Sequence, residues 1–299
     1  MPELPEVLTY LETLAPRIVG EPLERVRVRS PSLLRTYDPP VSALEGLTVR
    51  SLRRMGKRIV WALDDDIFAV FHLMVTGRFK WRERGAAVPR KNAHAGFDFP
   101  TGTLLLTEAG TKKRASLHVV RGEAGLEPFE RGGLDVRTAT PGSFREVLLR
   151  ENRTLKRALT DPRILDGIGN AHSDEILHRA RLSPTQRTGN LTEGEIEALY
   201  RSAREELAEW IERRRDDAAG EVPDRVSAFH PAMAVHGRFR EPCPRCGDPV
   251  QRIRYAANET NYCATCQTDG RVLKDRGLSR LLGDDWPRTL EELEELTDR

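Results

Sequence analysis

All four cysteines of the chain fall in two Cys-x-x-Cys pairs, Cys243-Pro-Arg-Cys246 and Cys263-Ala-Thr-Cys266, separated by sixteen residues. Four thiolates at that spacing suit one tetrahedral zinc ion, and a site filled by four protein ligands leaves no position open for catalysis, so the ion is expected to be structural. Gly247 after the first pair and the strand-like run Val250 to Tyr255 predict a zinc-stapled β-hairpin too small to fold on its own core. Two disulfides or a redox pair are the competing readings. Neither suits a cytoplasmic chain without a thioredoxin-like βαβ context.

The opposite end carries a different kind of signal. The chain begins Met1-Pro2-Glu3-Leu4-Pro5-Glu6, and removal of Met1 leaves a proline secondary amine as the terminal residue, beside a carboxylate. Amines attack electrophilic sugar carbons and carbonyls to form iminium intermediates, and an α-amino group titrates near pH ~8 against ~10.4 for lysine, so a useful fraction is neutral. Glu3 is placed to move protons. The plainer reading is that Pro2 and Pro5 stiffen the entrance to a helix.

With 299 residues, 38% hydrophobic and 31% charged, the chain is long enough for two domains with their own cores and shows no compositional sign of disorder. No apolar run approaches the ~18 residues needed to span a bilayer, and acidic residues stand where a signal peptide carries basic ones; a cytoplasmic location is expected, nucleoid-associated in a bacterium. The net charge of +2 divides unevenly: the segment from Asp284 to Arg299 has seven acidic and two basic residues, which leaves +7 on the body. Basic clusters at Arg50, Arg53, Arg54, Lys57 and Arg58, at Lys112 to Arg114, and at Arg150, Arg153, Lys156 and Arg157 suit phosphate contacts. Solvated arginine-rich faces are the alternative.

Apolar positions Val7, Leu8, Leu11, Leu14, Ala15 and Ile18 predict an amphipathic helix over residues 5 to 19. From Pro22 to about Val120 the pattern turns to short β-rich runs, among them Ile59 to Trp61, Ile67 to Val75, Phe79 to Trp81, Phe97 to Phe99, Leu104 to Leu106 and Leu117 to Val120, which predicts a β-sandwich. Helical signals follow from Pro141, from Leu155 and from Asn170. A longer helix starts at Thr192 and Glu195, which have capping-box spacing, with Ile196, Leu199, Ala203, Leu207, Trp210 and Ile211 as its buried stripe. The polar segment 216 to 231, broken by Gly and Pro, predicts a mobile loop. The expected class is α+β multidomain: an N-terminal β-sandwich with a leading helix over residues 2–125, a helical domain over 126–235, a zinc finger over 236–267 and an extension over 268–299.

Gly167-Ile-Gly-Asn170 opens a helix, where glycines allow close backbone approach and unpaired N–H groups suit a phosphate, although such a run is also an ordinary turn with an Asn N-cap. The order of parts carries more: Met-Pro-Glu-Leu-Pro-Glu, a β-rich domain with Gly56-Lys57-Arg58, Leu155-Lys156, Gly167 to Asn170, Val235-His236-Gly237-Arg238, then the cysteine pairs. This order resembles the formamidopyrimidine-DNA glycosylase and endonuclease VIII family over residues 2 to about 267.

The resemblance implies a bifunctional base-excision-repair enzyme acting as a monomer on damaged double-stranded DNA. The mature Pro2 amine attacks C1′ of the damaged nucleotide, displaces the base and forms an imine, after which elimination cuts the strand. Glu3 matches the acid that protonates the sugar ring oxygen, Glu6 and Glu175 match carboxylates of the same site, and Lys57 matches a lysine serving the lesion and the adjoining phosphate. Lys156 and Asn170 match phosphate-gripping positions of a helix-two-turn-helix domain that holds a flipped nucleotide. The zinc hairpin and N-terminal domain are expected to clamp a kinked duplex.

Several positions depart from the family. Asn258 stands where the hairpin carries an arginine five residues before the third cysteine, so either elimination weakens or a neighbour such as Arg254 substitutes. Val75 occupies the place of a void-filling methionine, with Met74 one residue earlier. Lys112-Lys113-Arg114 replaces an Arg-Arg-Phe wedge, so Lys113 is a candidate DNA contact that reads a different opposite base. The loop before Val235 is shorter than in members that cap an oxidised purine. In the extension, Leu278, Leu281, Leu282, Trp286, Leu290, Leu293 and Leu296 are expected to fold back on the body. The alternative function is a paralogue that binds distorted DNA without useful chemistry.

Overall fold

A computed structural model of the protein describes residues 1–255, 258–275, 282–283 and 286–297. The chain forms two compact units: residues 1–131 with 209–228, and residues 132–208 with 229–299.

The first unit opens with helix α1, Leu4–Ile18. Pro5 sits in its first turn, where the missing N–H costs no intrahelical bond, and Val7, Tyr10, Leu14 and Ile18 recur at helical spacing on the buried face. Behind it lie two four-stranded antiparallel sheets. One has the order β1 (Arg25–Val28), β6 (Ala93–Phe99), β7 (Gly102–Glu108), β5 (Gly77–Arg82); the other runs β2 (Val49–Met55), β3 (Arg58–Leu63), β4 (Ile67–His72), β8 (Ser116–Arg121). The core between them is aromatic: Trp61 lies 4.5 Å from Phe71 and 5.4 Å from Phe97, and Tyr10 of α1 meets Phe79 edge-on at 5.5 Å. The outer face of the second sheet is covered by the 3₁₀ turn Glu123–Phe129, whose Leu126 and Phe129 pack on Val60, Phe68 and Val70. Both faces of β3 and β4 are therefore covered, and these strands read as unbroken apolar runs rather than alternating ones.

The structure corrects three sequence expectations here. Strand β2 has no counterpart among the predicted strands; it is an edge strand, and Arg50, Arg53 and Arg54 break the apolar alternation while pairing outward, Arg53 with Glu123. The run Ile67 to Val75 is strand only as far as His72, because Met74 takes a positive φ of 54° and the chain turns to bond Gly77 N–H to the Leu73 carbonyl at 2.9 Å. A Cβ on Gly77 would collide with that carbonyl, so the turn needs glycine there. The polar segment 216 to 231 is not a loose loop: Val222 and Val226 are buried in the aromatic core, Arg82 grips Asp224 through two bonds of 2.8 and 2.6 Å, and Arg17 holds Glu221 at 2.5 Å.

The second unit contains α2 (Pro141–Leu149), α3 (Leu155–Thr160), α4 (Asn170–Ala180) and most of α5 (Glu193–Ala218). The expected capping box at Thr192 is present, Thr192 N–H donating to Glu195 at 2.7 Å and Glu195 N–H to the Thr192 hydroxyl at 3.3 Å. The stripe from Ile196 to Ile211 is buried as predicted. Strands β9 (Gln251–Tyr255) and β10 (Asn258–Tyr262) form the expected hairpin, and the extension folds back on it: Leu273 and Leu290 pack against Ile253 and Tyr262, and the Leu273 N–H donates to the Tyr262 hydroxyl at 2.7 Å. Trp286 is buried, Leu282 and Leu293 are half-buried, and Leu278, Leu281 and the Leu296 side chain lie outside the described positions. No described helix is long and apolar enough to cross a membrane.

Candidate active site and nucleic-acid interface

In the first unit the terminus is built into the protein. Pro2 and Glu3 are buried, and the Glu3 N–H donates to a Glu6 carboxylate oxygen at 2.8 Å. Glu6 is fully buried, and its other oxygen accepts from Arg214 Nε at 3.0 Å. The terminal amine is here that of Met1, one residue out from the nitrogen that processing would expose. Burial holds it below the ordinary α-amino value; Glu3 and Glu6 work against that lowering, while Arg78 and Lys57 add to it. A lowered value enlarges the neutral, nucleophilic fraction at neutral pH. Lys57 follows Gly56, whose φ of 62° forms the tight β2–β3 turn, so the turn carries this lysine toward the terminus. The structure thus brings Pro2, Glu3, Glu6 and Lys57 together.

Three neighbours of this cluster were not singled out by sequence. His72, at the end of β4, is pushed down to about 4, first by burial and then by Arg58, Lys57 and His118, so it is a neutral imidazole among cations at neutral pH. Arg78 on β5 faces the amine. Arg214 is separated from Glu6 by 208 residues, a contact no local pattern announces. Lys113 lies apart, on the exposed loop between β7 and β8. Its ammonium turns back to Asn92 Oδ1 at 3.3 Å and to the Glu108 carbonyl.

The second unit gathers Lys156, Asn170 and Glu175 around the start of α4. Gly169, not Asn170, is the N-cap, and the Asn170 amide donates to the Glu259 carbonyl of β10 at 2.8 Å. Lys156 donates to the Asn170 carbonyl and to Asp174, both at 2.6 Å, and the far oxygen of Asp174 accepts from His236 Nδ1 at 2.7 Å. This Lys156–Asp174–His236 chain explains the position of His236 in the Val-His-Gly-Arg run. Glu175 accepts the consecutive N–H groups of Ala234, Val235 and His236 at 2.6, 2.9 and 2.9 Å. Burial, then Glu206, raise its carboxyl while the three N–H groups pull it down.

Glu175→Gln is expected to replace one acceptor oxygen with an amide facing a backbone N–H. A buried donor left unsatisfied costs about 1–3 kcal/mol. Amide hydrogen exchange at Ala234 to His236 should therefore accelerate about tenfold or more. Unchanged protection would show that the carboxylate does not hold this loop.

On the hairpin, Asn258 pairs in register with Tyr255, and Arg254 with Glu259. Cross-strand partners share a face and successive residues alternate, so Arg254 and Asn258 stand on opposite faces of the ribbon. Arg254 is thus no direct replacement for a cation at position 258. At the base of the hairpin the four cysteine sulfurs lie within 4.8 Å of one another, Cys243 to Cys266 at 4.0 Å and Cys246 to Cys263 at 3.4 Å. A tetrahedron with Zn–S bonds of ~2.3 Å has edges of about 3.8 Å, whereas a disulfide requires ~2.05 Å. The thiols fit one structural zinc, and His178 Nε2 reaches Cys243 at 3.3 Å, a bond that orients this ligand.

Three family models match in order: the formamidopyrimidine-DNA glycosylase N-terminal domain over residues 1–113, the formamidopyrimidine-DNA glycosylase H2TH domain over 130–219, and a zinc finger found in FPG and IleRS over 240–268. The formamidopyrimidine-DNA glycosylase of Thermus thermophilus is 36% identical over 279 residues, covering 90% of this chain and all of that protein. That of Desulfitobacterium hafniense is 32% identical over 285 residues, with 89% and 100% covered. The crystal structure of MutM (Fpg) from Thermus thermophilus superposes with a TM-score of 0.75 at 33% identity, covering 89% of this chain and 98% of that one. The Lactococcus lactis Fpg bound to DNA containing an abasic site gives a TM-score of 0.78 at 26% identity, covering 89% and 99%.

Proposed function

Because the chain belongs to the formamidopyrimidine-DNA glycosylase family, we propose that Pro2, once Met1 is removed, is the nucleophile of both its reactions. The protein is a base-excision-repair DNA glycosylase with abasic-site lyase activity, binds damaged double-stranded DNA and carries one structural zinc. The observation that most supports Pro2 is its burial beside Glu3 and Glu6, at a terminus where burial holds the Met1 amine, one residue out, below its ordinary value.

In this reading the neutral Pro2 nitrogen attacks C1′, the glycosidic bond breaks with its electron pair leaving on the base, and the proton that the nitrogen sheds ends on the departing base. Glu3 delivers a proton to the ring oxygen as the sugar opens to the iminium. Loss of a C2′ proton then expels the 3′ phosphate. Lys57 steadies the phosphate charge, and the Lys156 and Asn170 region grips the backbone of the everted nucleotide, since C1′ is out of reach in an intact stack. Asn258 supplies no positive charge at the hairpin tip, and the exposed Arg114 beside Lys113 is the more available cation of the loop that meets the opposite strand. A cytoplasmic, nucleoid-associated location suits this role.

Duplexes bearing an oxidised purine, an oxidised pyrimidine or an abasic site, incubated with the protein and borohydride, test the reading. A covalent protein–DNA adduct on at least one of them is expected. Lesion-dependent binding with neither adduct nor strand cleavage would instead select a damage-recognition module.

A further inference from the structure

We propose that Arg214 is a positioning residue for the N-terminal nucleophile, acting through Glu6; the inference rests on the reading of Pro2 given above. Arg214 stands on the last turns of α5 and is 8% exposed. Its Nε donates to Glu6 at 3.0 Å, one terminal nitrogen donates to the Ser227 carbonyl, and the other lies 3.4 Å from Asp217. The Trp210 ring lies 5.4 Å from its guanidinium carbon. The guanidinium is thus locked, and it locks Glu6 in turn. The second Glu6 oxygen accepts the Glu3 N–H at 2.8 Å, and that N–H belongs to the peptide group whose carbonyl is that of Pro2. The carboxylate therefore fixes the peptide plane next to the reactive nitrogen.

Charge adds a second effect. The charged groups around the Met1 amine, one residue out from Pro2, are Glu3 at the N-cap of α1, Glu6 in its first turn, Lys57 from the β2–β3 turn and Arg78 from β5. Arg214 neutralises one of the two carboxylates. Without it, Glu6 either stays ionised, uncompensated and more favourable to a protonated amine, or turns toward water and releases the Glu3 N–H. Both outcomes slow attack. The first also moves the pH at which the amine becomes reactive.

Single-turnover borohydride trapping on an abasic duplex, followed across pH, separates these effects from simple structural damage. Arg214→Gln is expected to trap about tenfold more slowly at neutral pH, with the acid limb of the profile moved up by about one pH unit. The double variant R214Q/E6Q should return the limb to or below its wild-type position, because the uncompensated carboxylate is gone, while remaining slow. Arg214→Lys keeps the charge without the fork, so it should keep the wild-type limb at a reduced rate. An R214Q protein with the wild-type rate and limb overturns the proposal. Should R214Q fail to fold, R214K decides, and a rate equal to the wild type at every pH overturns it. Absence of any adduct with the wild-type chain would instead sink the assignment of Pro2 itself.

Discussion

Protein that keeps Met1, or carries any tag residue ahead of Pro2, should form no borohydride-trapped adduct with abasic DNA, a loss on the order of 10³-fold or more. The reason is electronic before it is steric. An acylated proline nitrogen is a tertiary amide whose lone pair is delocalised into the carbonyl, and it has no proton to lose on the way to an iminium. The amine that remains, on Met1, lies one residue from the position prepared by Glu6, and near-attack geometry tolerates only small displacements. Binding to the same duplex should change little, because the groups that would grip phosphates belong to the second unit and to Lys57. Intact mass spectrometry of the preparation and trapping yield, measured together, give the result. Full trapping by material that mass shows to be wholly unprocessed would exclude Pro2 and direct attention to Lys57.

How much of this site was readable from residue order differs from part to part. Helix α1 was legible because Val7, Leu14 and Ile18 keep helical spacing and Pro5 marks its first turn. The metal site was legible because ligand type and spacing alone determine it. Strand β2 was not, since an edge strand needs few apolar residues and this one fills with arginines that find acids elsewhere, as Arg53 finds Glu123. The segment 216 to 231 misled for a related reason: two valines, Val222 and Val226, anchor it in a core assembled from distant strands, and polar neighbours conceal them. The family resemblance marks Glu175 as a site carboxylate, but its hold on three backbone N–H groups 59 to 61 residues away depends on tertiary closure. The same holds for the chain from Lys156 through Asp174 to His236. Residue type announces chemistry, and only packing decides which groups that chemistry meets.

Stripping zinc with a strong chelator should lower affinity for a lesion duplex by about 10² and abolish amide protection across residues 251–255 and 258–262. Two structures compete to hold that hairpin. On one side is the metal module, whose own core amounts to Val235, Val250, Cys243 and Cys263 with Ala234 and Cys266 at its margin. On the other is the folded-back extension, which supplies Leu273 and Leu290 against Ile253, Tyr262 and Ala264 and closes the β9 edge through Asp275 and the Arg254 N–H at 2.6 Å. Each buried aliphatic side chain contributes about 1.5–3 kcal/mol, so two of them offer at most about 6. A four-thiolate zinc site contributes about 10–16 kcal/mol at pH 7, and a two-stranded ribbon is at best marginal without such help. The metal should therefore win, and the extension should not rescue the apo protein. Loss of the ion also frees Cys243 from the site that His178 orients, so the end of α4 should loosen with it. Restoring zinc under reducing conditions should recover binding and protection together. Apo protein, shown metal-free by elemental analysis yet binding with full affinity, would mean that the extension has taken over as the hairpin's support.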